Sequence, residues 1–480
     1  MLRSFPRPAL ALAVAAAALA ACTDGPAAPA AAPALSQGAP DGRFVVLARA
    51  ESLPADLAAQ VAAAGGTLEQ AFPELGVAVV SAADPAFRAR AGRLAWVESV
   101  AADLAVRQAE PARVAALEDA PQAPALAAGG AGPADDEPFY TFQWAPAAVQ
   151  APEAWEAGFT GRGVRVAIVD GGLYGDHVDL RANVDRAASR SFVPGFAWNQ
   201  DVGTFWHGTH VAGIVAAADN GVGGIGIAPE ATLIGVKVLH GNVGPFDGII
   251  AGIYYAATPR ERGGAGADVV NLSLGLSVDA ADRQVRADLR ELEKAVDRAT
   301  RYAHRQGATL IASAGNDGRS FDEHRTWVGV PAQSAHVVAV SATGPLGWFR
   351  GARDFARPAS YTTFGKAVVD LSAPGGDYAY PGTERCQVAF ANRLCRTFDM
   401  YLSTIRGSTP GGEYTWSAGT SMAAPVVSGI AALVIQAGGG RVAPAQVEAA
   451  LRRGAEDLGK PGNDEVYGHG WVNALRSVQQ

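Results

Sequence analysis

The sequence predicts an α/β protein: a parallel sheet with helices on both faces, preceded by a small α+β module. Two observations carry that prediction. From residue 137 to 480, apolar strand-like runs alternate with helical patterns, and such alternation builds a parallel sheet covered on both sides. Between residues 43 and 107 the runs are shorter, and two Ala/Pro-rich stretches, 22–42 and 108–136, set them apart. With 480 residues, 49% of them hydrophobic and 18% charged, the chain has material for more than one core.

The elements follow in order. Arg3 and Arg7 precede an apolar run over 10–21, too short to span a bilayer but suited to an export signal, so 1–21 is read as a signal peptide. It ends in Leu19-Ala20-Ala21-Cys22, which resembles the bacterial lipobox, whose cysteine is lipidated and becomes the mature N-terminus. An ordinary signal peptide with an incidental cysteine is the alternative. Residues 22–42 read as a tether that cannot fold alone. The module at 43–107 predicts strand 43–48, helix 57–64 ended by Gly65-Gly66, a faint strand at 67–72 and strand 76–80. A short helix over 84–91, N-capped by Asp84, and a strand at 96–101 complete it. That β-α-β-β-α-β order is ferredoxin-like. Residues 108–136, with Gly129-Gly130-Ala131-Gly132, read as a flexible, cleavable linker. In 137–480 strands are predicted at 164–169, 233–239, 269–274, 309–313, 337–341 and 368–371, with helices at 209–218, 287–306, 420–437 and 444–453.

Charge and cysteines narrow the classes. A net charge of −8 argues against a nucleic-acid partner, which needs a basic face. In an exported chain, Cys386 and Cys395 are expected to pair, closing a small ring worth roughly 2.5–3 kcal/mol. Two free thiols are the alternative; a metal site lacks a nearby histidine.

Three motifs carry the chemistry: Ile168-Val169-Asp170-Gly171-Gly172, His207-Gly208-Thr209-His210-Val211-Ala212-Gly213 and Gly419-Thr420-Ser421-Met422-Ala423-Ala424-Pro425. Asp170 closes an apolar strand, His207 opens a helix of small residues, and Ser421 opens a long apolar helix. A serine hydroxyl needs an imidazole to take its proton, and the imidazole needs a carboxylate to hold its tautomer. A helix start also offers free N–H groups to a developing oxyanion. An esterase of the α/β-hydrolase class would need Ser ahead of its Asp and His; here Ser421 comes last.

These motifs closely resemble the subtilases, the subtilisin-like serine proteases, over about 143–478, and the Asp-His-Ser order is theirs. The resemblance implies a subtilisin-like parallel-sheet domain at 137–480. In it Asp170 orients His207, His207 acts as general base and then acid, and Ser421 attacks a peptide carbonyl. Ser313-Ala314-Gly315-Asn316-Asp317 resembles the family's oxyanion segment, so Asn316 and the Ser421 N–H would be the donors. Asn271-Leu272-Ser273-Leu274-Gly275 resembles its substrate-pairing strand; with Ala314 and Gly315 it implies a main pocket of apolar or aromatic preference, with Ser273, Leu274 and Gly275 on one wall. No cofactor is required for the chemistry. A structural calcium is implied at Asp179, in His177-Val178-Asp179-Leu180, and Asn220, with ordinary polar loop groups as the alternative.

The resemblance departs at Gly171, where the family has Ser or Thr beside the aspartate, and at Val178, where it has Pro. Residues 377–413 read as an insertion bearing the cysteine pair. His210 is read as structural, and His177, His240, His304, His324, His336 and His469 as surface or core residues; Trp144, Trp155 and Trp471 are packing residues. The 43–107 module resembles the inhibitor-like propeptide of the family, implying an intramolecular inhibitor and folding aid. The expected partners are polypeptide substrates and the propeptide itself, with no nucleic acid and a membrane only through lipidated Cys22. A monomer is expected, exported as a lipid-anchored precursor. A catalytically silent surface binding protein on the same fold is the competing reading.

Overall fold

The strand Arg165–Asp170 sits where a seven-stranded sheet reverses its direction of growth. Across the sheet the order is Leu371–Pro374, Val337–Thr343, Thr309–Ser313, Val269–Leu272, Arg165–Asp170, Thr232–Lys237 and Arg190–Ser191. Every pairing is parallel. The chain begins at Arg165–Asp170, grows to one side and then jumps to the other. In open α/β sheets a ligand crevice forms at that switch point, beyond the carboxyl ends of the strands, and Asp170 is the last residue of its strand. This computed structural model describes residues 42–107, 113–116, 137–203, 205–279, 283–323, 327–388, 391–407 and 413–480. Cys22, the signal peptide and nearly all of the tether lie outside the described residues.

Strand pleating decides what covers each face, because successive side chains point to opposite sides. Val166 and Ile168 pack into one core with helices His207–Ala216 and Thr420–Ala437. Ala167 and Val169 pack into the other with helices Phe246–Ala257 and Arg283–Arg305. Thr420–Ala437 is long and apolar enough to cross a membrane, but 89% of it is buried inside the protein.

The small module is a four-stranded antiparallel sheet in the order Thr67–Phe72, Val77–Ser81, Arg43–Ala48, Val97–Ala102. Helices Leu57–Ala63 and Phe87–Ala91 cover one face through Leu57, Val61 and Phe87. The opposite face, Val45, Leu47, Val77 and Val79, packs into the same core as Phe246–Ala257 and Arg283–Arg305. Arg298 clamps that junction: it donates to the carbonyls of Ala48 at 2.8 Å and of Leu75 and Gly76 at 3.2 Å, and to Glu98 at 2.7 Å. Tyr254 adds a bond to Glu74 at 2.7 Å and an edge contact with Phe72.

Several boundaries move, each for a local reason. The helix expected over 84–91 starts at Phe87, because Asp84 spends its carboxylate on the Ala86 N–H, a turn ahead of the helix. The strand expected at 368–371 runs Leu371–Pro374, since Val368 and Val369 both donate to Gly365 O and form a turn. Trp206, at φ 44°, sets the helix start at His207. Within the stretch read as a flexible linker, Arg113–Ala116 forms a strand antiparallel to Tyr414–Ala418, with Arg113 opposite Ala418. Composition misses this because the partner, some 300 residues away in sequence, supplies the order. The hairpin Arg385–Val388 and Ala391–Leu394 carries Cys386 into a disulfide with Cys395.

Candidate active site

Asp170, His207 and Ser421 are 1%, 3% and 4% exposed. His207 Nδ1 lies 2.9 and 3.0 Å from the two Asp170 oxygens, and the Gly171 N–H donates to Asp170 Oδ1 at 2.6 Å. Glycine after the histidine makes that approach possible. A Cβ on Gly208 would meet Gly172 O at 2.5 Å and Asp170 Cβ at 3.0 Å.

Ser421 is the second residue of its helix, entered through Gly419. Its Oγ donates to Ser273 O at 3.3 Å. Pro425 explains a further contact. It lacks the N–H that would bond back to Ser421 O, and the Ser273 hydroxyl donates to that carbonyl instead, at 2.8 Å. Asn271 in turn donates to Ser273 Oγ, and Ser428 to Asn271, both at 2.9 Å, so the strand end and the nucleophile helix are tied together. This chain of groups is absent from the sequence reading; the proline within an apolar helix was its available signal.

Asn316 has its amide oxygen occupied by the Thr420 N–H and hydroxyl, both at 2.9 Å, while Gly315 N donates to Thr420 Oγ1 at 3.1 Å. Its Nδ2 therefore faces away from Thr420. A Cβ at Gly419 would lie 3.4 Å from it. Ser273, Leu274 and Ala314 are buried, Ser273 in hydrogen-bond contact with Ser421, and a Cβ on Gly275 would stand 3.5 Å from Ser313 O. A second edge, Val243–Pro245, was not foreseen, since three residues show no periodicity. It pairs antiparallel with Ala105–Arg107, the end of the small module.

The histidines sort by burial. His210 is fully buried against Thr415 O at 3.1 Å, and burial lowers its pKa to about 3. His177 is lowered to about 4 by burial, with Nε2 on Glu413 O at 2.9 Å. Both stay neutral and structural. His324 lies outside the described residues. Trp144, Trp155 and Trp471 are buried, as packing residues are.

Asp179 and Asn220 meet in a second cluster. Asp179 Oδ2 accepts from Tyr414 OH at 2.9 Å and Gly224 N at 3.2 Å, while its Oδ1 is buried without a hydrogen bond. Burial, with Glu137 nearby, pushes its carboxyl up to about 7. Glu137 is held to the same loop by the Asn220 and Gly221 N–H groups at 2.7 and 2.8 Å. Among the described residues no site combines three His, Cys, Asp or Glu. An orphaned carboxylate oxygen beside a second carboxylate nevertheless fits a hard cation whose remaining ligands are amide and carbonyl oxygens.

Known proteins resemble this chain in sequence and in fold. The model of the subtilase family matches residues 161–470. Alkaline elastase YaB of Bacillus sp. (strain YaB) is 34% identical over 335 residues, 70% of this chain and 69% of its own. Thermitase of Thermoactinomyces vulgaris is 31% identical over 347 residues, 72% of this chain and 99% of its own. Among solved structures, the epidermin leader peptide processing serine protease of Staphylococcus aureus superposes with a TM-score of 0.70 at 22% identity, covering 91% of this chain and 97% of its own, a likeness of fold.

Proposed function

The chain belongs to the subtilase family of serine-type endopeptidases, and from that premise we propose that it hydrolyses peptide bonds through Asp170, His207 and Ser421, after export as a self-inhibited precursor. The observation that carries the mechanism is the buried Asp170–His207 pair at the sheet's switch point, with the helix that Ser421 opens packed against the helix that His207 opens. His207 takes the Ser421 proton as Oγ attacks the substrate carbonyl. The Asn316 Nδ2 and the Ser421 N–H receive the oxyanion; the orientation of Asn316 by Thr420 supports that role. His207 then protonates the leaving amine, and water, deprotonated by the same imidazole, clears the acyl-enzyme. Ser273, Leu274, Gly275, Ala314 and Gly315 border the acyl side, and the small size of all but Leu274 suits an apolar or aromatic substrate residue.

Residues 43–107 are read as the inhibitory propeptide. Its docking on Phe246–Ala257 and Arg283–Arg305 supports this, and so does its exit strand Ala105–Arg107 on the Val243–Pro245 edge. The chain then re-pairs at Arg113–Ala116 with the strand leading into Ser421. The bond cut in maturation is therefore assigned to residues 108–112, at the head of the stretch expected to be cleavable. With Cys22 on the propeptide side, cutting there releases the catalytic domain from a lipid anchor. Wild type beside Ser421→Ala tests both ideas through casein hydrolysis, membrane fractionation and N-terminal sequencing. Soluble, shortened, active wild type is expected beside an anchored, full-length variant. A folded, processed wild type without hydrolysis overturns the protease reading, and one that stays anchored overturns the release.

The junction predicts a pH dependence. Arg43 of the module bonds Asp247 at 3.0 Å and lies 3.3 Å from Asp103, itself fully buried, while Glu69 adds a weaker field on Arg43. Burial, then the charge of Asp247, push the Asp103 carboxyl up to about 8 from its ordinary 3.8. An acid with a higher pKa when docked takes up a proton on docking, so this contribution is full below 3.8 and lost as pH rises through about 8. After cleavage, release of activity should quicken from about pH 5 to pH 8. Asp103→Asn should flatten that rise; equal pH dependence in both proteins contradicts it.

A calcium ion held by Asp179, Glu137 and Asn220 would bring a counter-charge to the two carboxylates and tie loop 219–229 down. Calcium at about 100 times its Kd should raise Tm by roughly 5 °C. Asp179→Asn should abolish the shift, and an unchanged Tm in wild type refutes the site.

A further inference from the structure

Gly171, where the family carries a hydroxyl, is occupied from outside. A Cβ built there would stand 2.7 Å from Asp201 Oδ2. Asp201 reaches this spot from a loop whose amides fix it: Oδ1 accepts from Val202 N at 2.9 Å and from Gly241 N at 3.1 Å. Its side chain is 5% exposed. From the neighbouring strand, Lys237 donates to the Gly171 carbonyl and, at 2.6 Å, to Leu239 O, with its ammonium 3.9 Å from Asp201. Lys237 is the sheet partner of Asp170. The turn that lets Gly171 N–H bind Asp170 is thus held on its carbonyl by a buried cation, and a carboxylate fills the space a Cβ would take.

We propose that Asp201 is a positioning residue for the catalytic pair: packed on Gly171, it holds the turn that aims Asp170 at His207 and brings a second negative charge beside the triad. This rests on the protease reading above. The charged groups facing Asp201 are Asp170 from its strand, Lys237 from the neighbouring strand and His240, whose Nδ1 is 3.7 Å away. Asp176 and Arg406 line the same cavity, of about 630 Å³.

Two substitutions acting through one contact should not multiply. Asp201→Ala is expected to lower kcat about 10–100-fold with KM little changed, as a misaimed catalytic group does. Gly171→Ser should cost a similar factor, because its Cβ must displace the Asp201 carboxylate. In the Gly171→Ser/Asp201→Ala double variant the serine should cost nothing further. Asp201→Asn keeps the shape, so it is read even where Asp201→Ala fails to fold. Its kcat/KM profile should have its acid limb at lower pH, since a negative charge that favours the protonated enzyme is gone; a purely structural residue would leave that limb in place. Unchanged kcat and acid limb in a folded Asp201→Asn, or losses that multiply in the double variant, overturn the proposal. If wild type itself fails to hydrolyse casein, the protease reading has failed instead.

Discussion

Ser421→Ala is expected to lower the rate of peptide hydrolysis by about 10⁶-fold, the order lost when the nucleophile of such a triad is removed. What survives should come from binding and the proposed oxyanion donors, which the substitution leaves in place. The fold should be intact, because the Ser421 carbonyl keeps its bond from Ser273 and only a small hydroxyl, donating at 3.3 Å, is lost. The precursor therefore accumulates uncut, which an intact-mass measurement reads directly. A variant that still matures at the wild-type rate in the absence of other proteases would remove Ser421 from the mechanism.

Asp170→Asn is expected to slow self-cleavage of the proposed precursor by about 10⁴-fold without unfolding it. The carboxylate now accepts from both the Gly171 N–H and His207 Nδ1. A carboxamide can rotate its NH₂ toward the imidazole, which then presents Nδ1 as acceptor and leaves Nε2 protonated, unable to take the serine proton. Precursor half-life gives the factor, and unchanged Tm shows the loss is chemical. A loss below about tenfold would mean that Asp170 does not set the tautomer.

The Asp170–His207 contact was legible because each need is written within a few residues: an apolar run for a buried strand end, glycine where backbone must approach, small residues at a helix start. The small module was legible down to its faint strand at Thr67–Phe72, and its βαββαβ order appears in the sheet. What escaped is non-local. Arg113–Ala116 and Val243–Pro245 are strands only because distant edges meet them. Arg190–Ser191 is too short to show a period. Gly171 read as a missing support beside the aspartate; the group that meets it, Asp201, comes from 30 residues on and no pattern around either residue announces it. Thr420 precedes Ser421 in the sequence, yet its grip on Asn316 emerges only when two strand ends and a helix converge.

A fluorophosphonate that acylates activated serines tests the central claim most directly. Peptide mapping by mass spectrometry should place one phosphonyl group per mature chain on Ser421, with casein hydrolysis lost in proportion to labelling. His207→Ala should abolish the labelling, and excess peptide substrate should slow it. A label on another serine with activity retained, or labelling of Ser421 that His207→Ala leaves at the wild-type rate, would contradict an activated Asp170–His207–Ser421 triad.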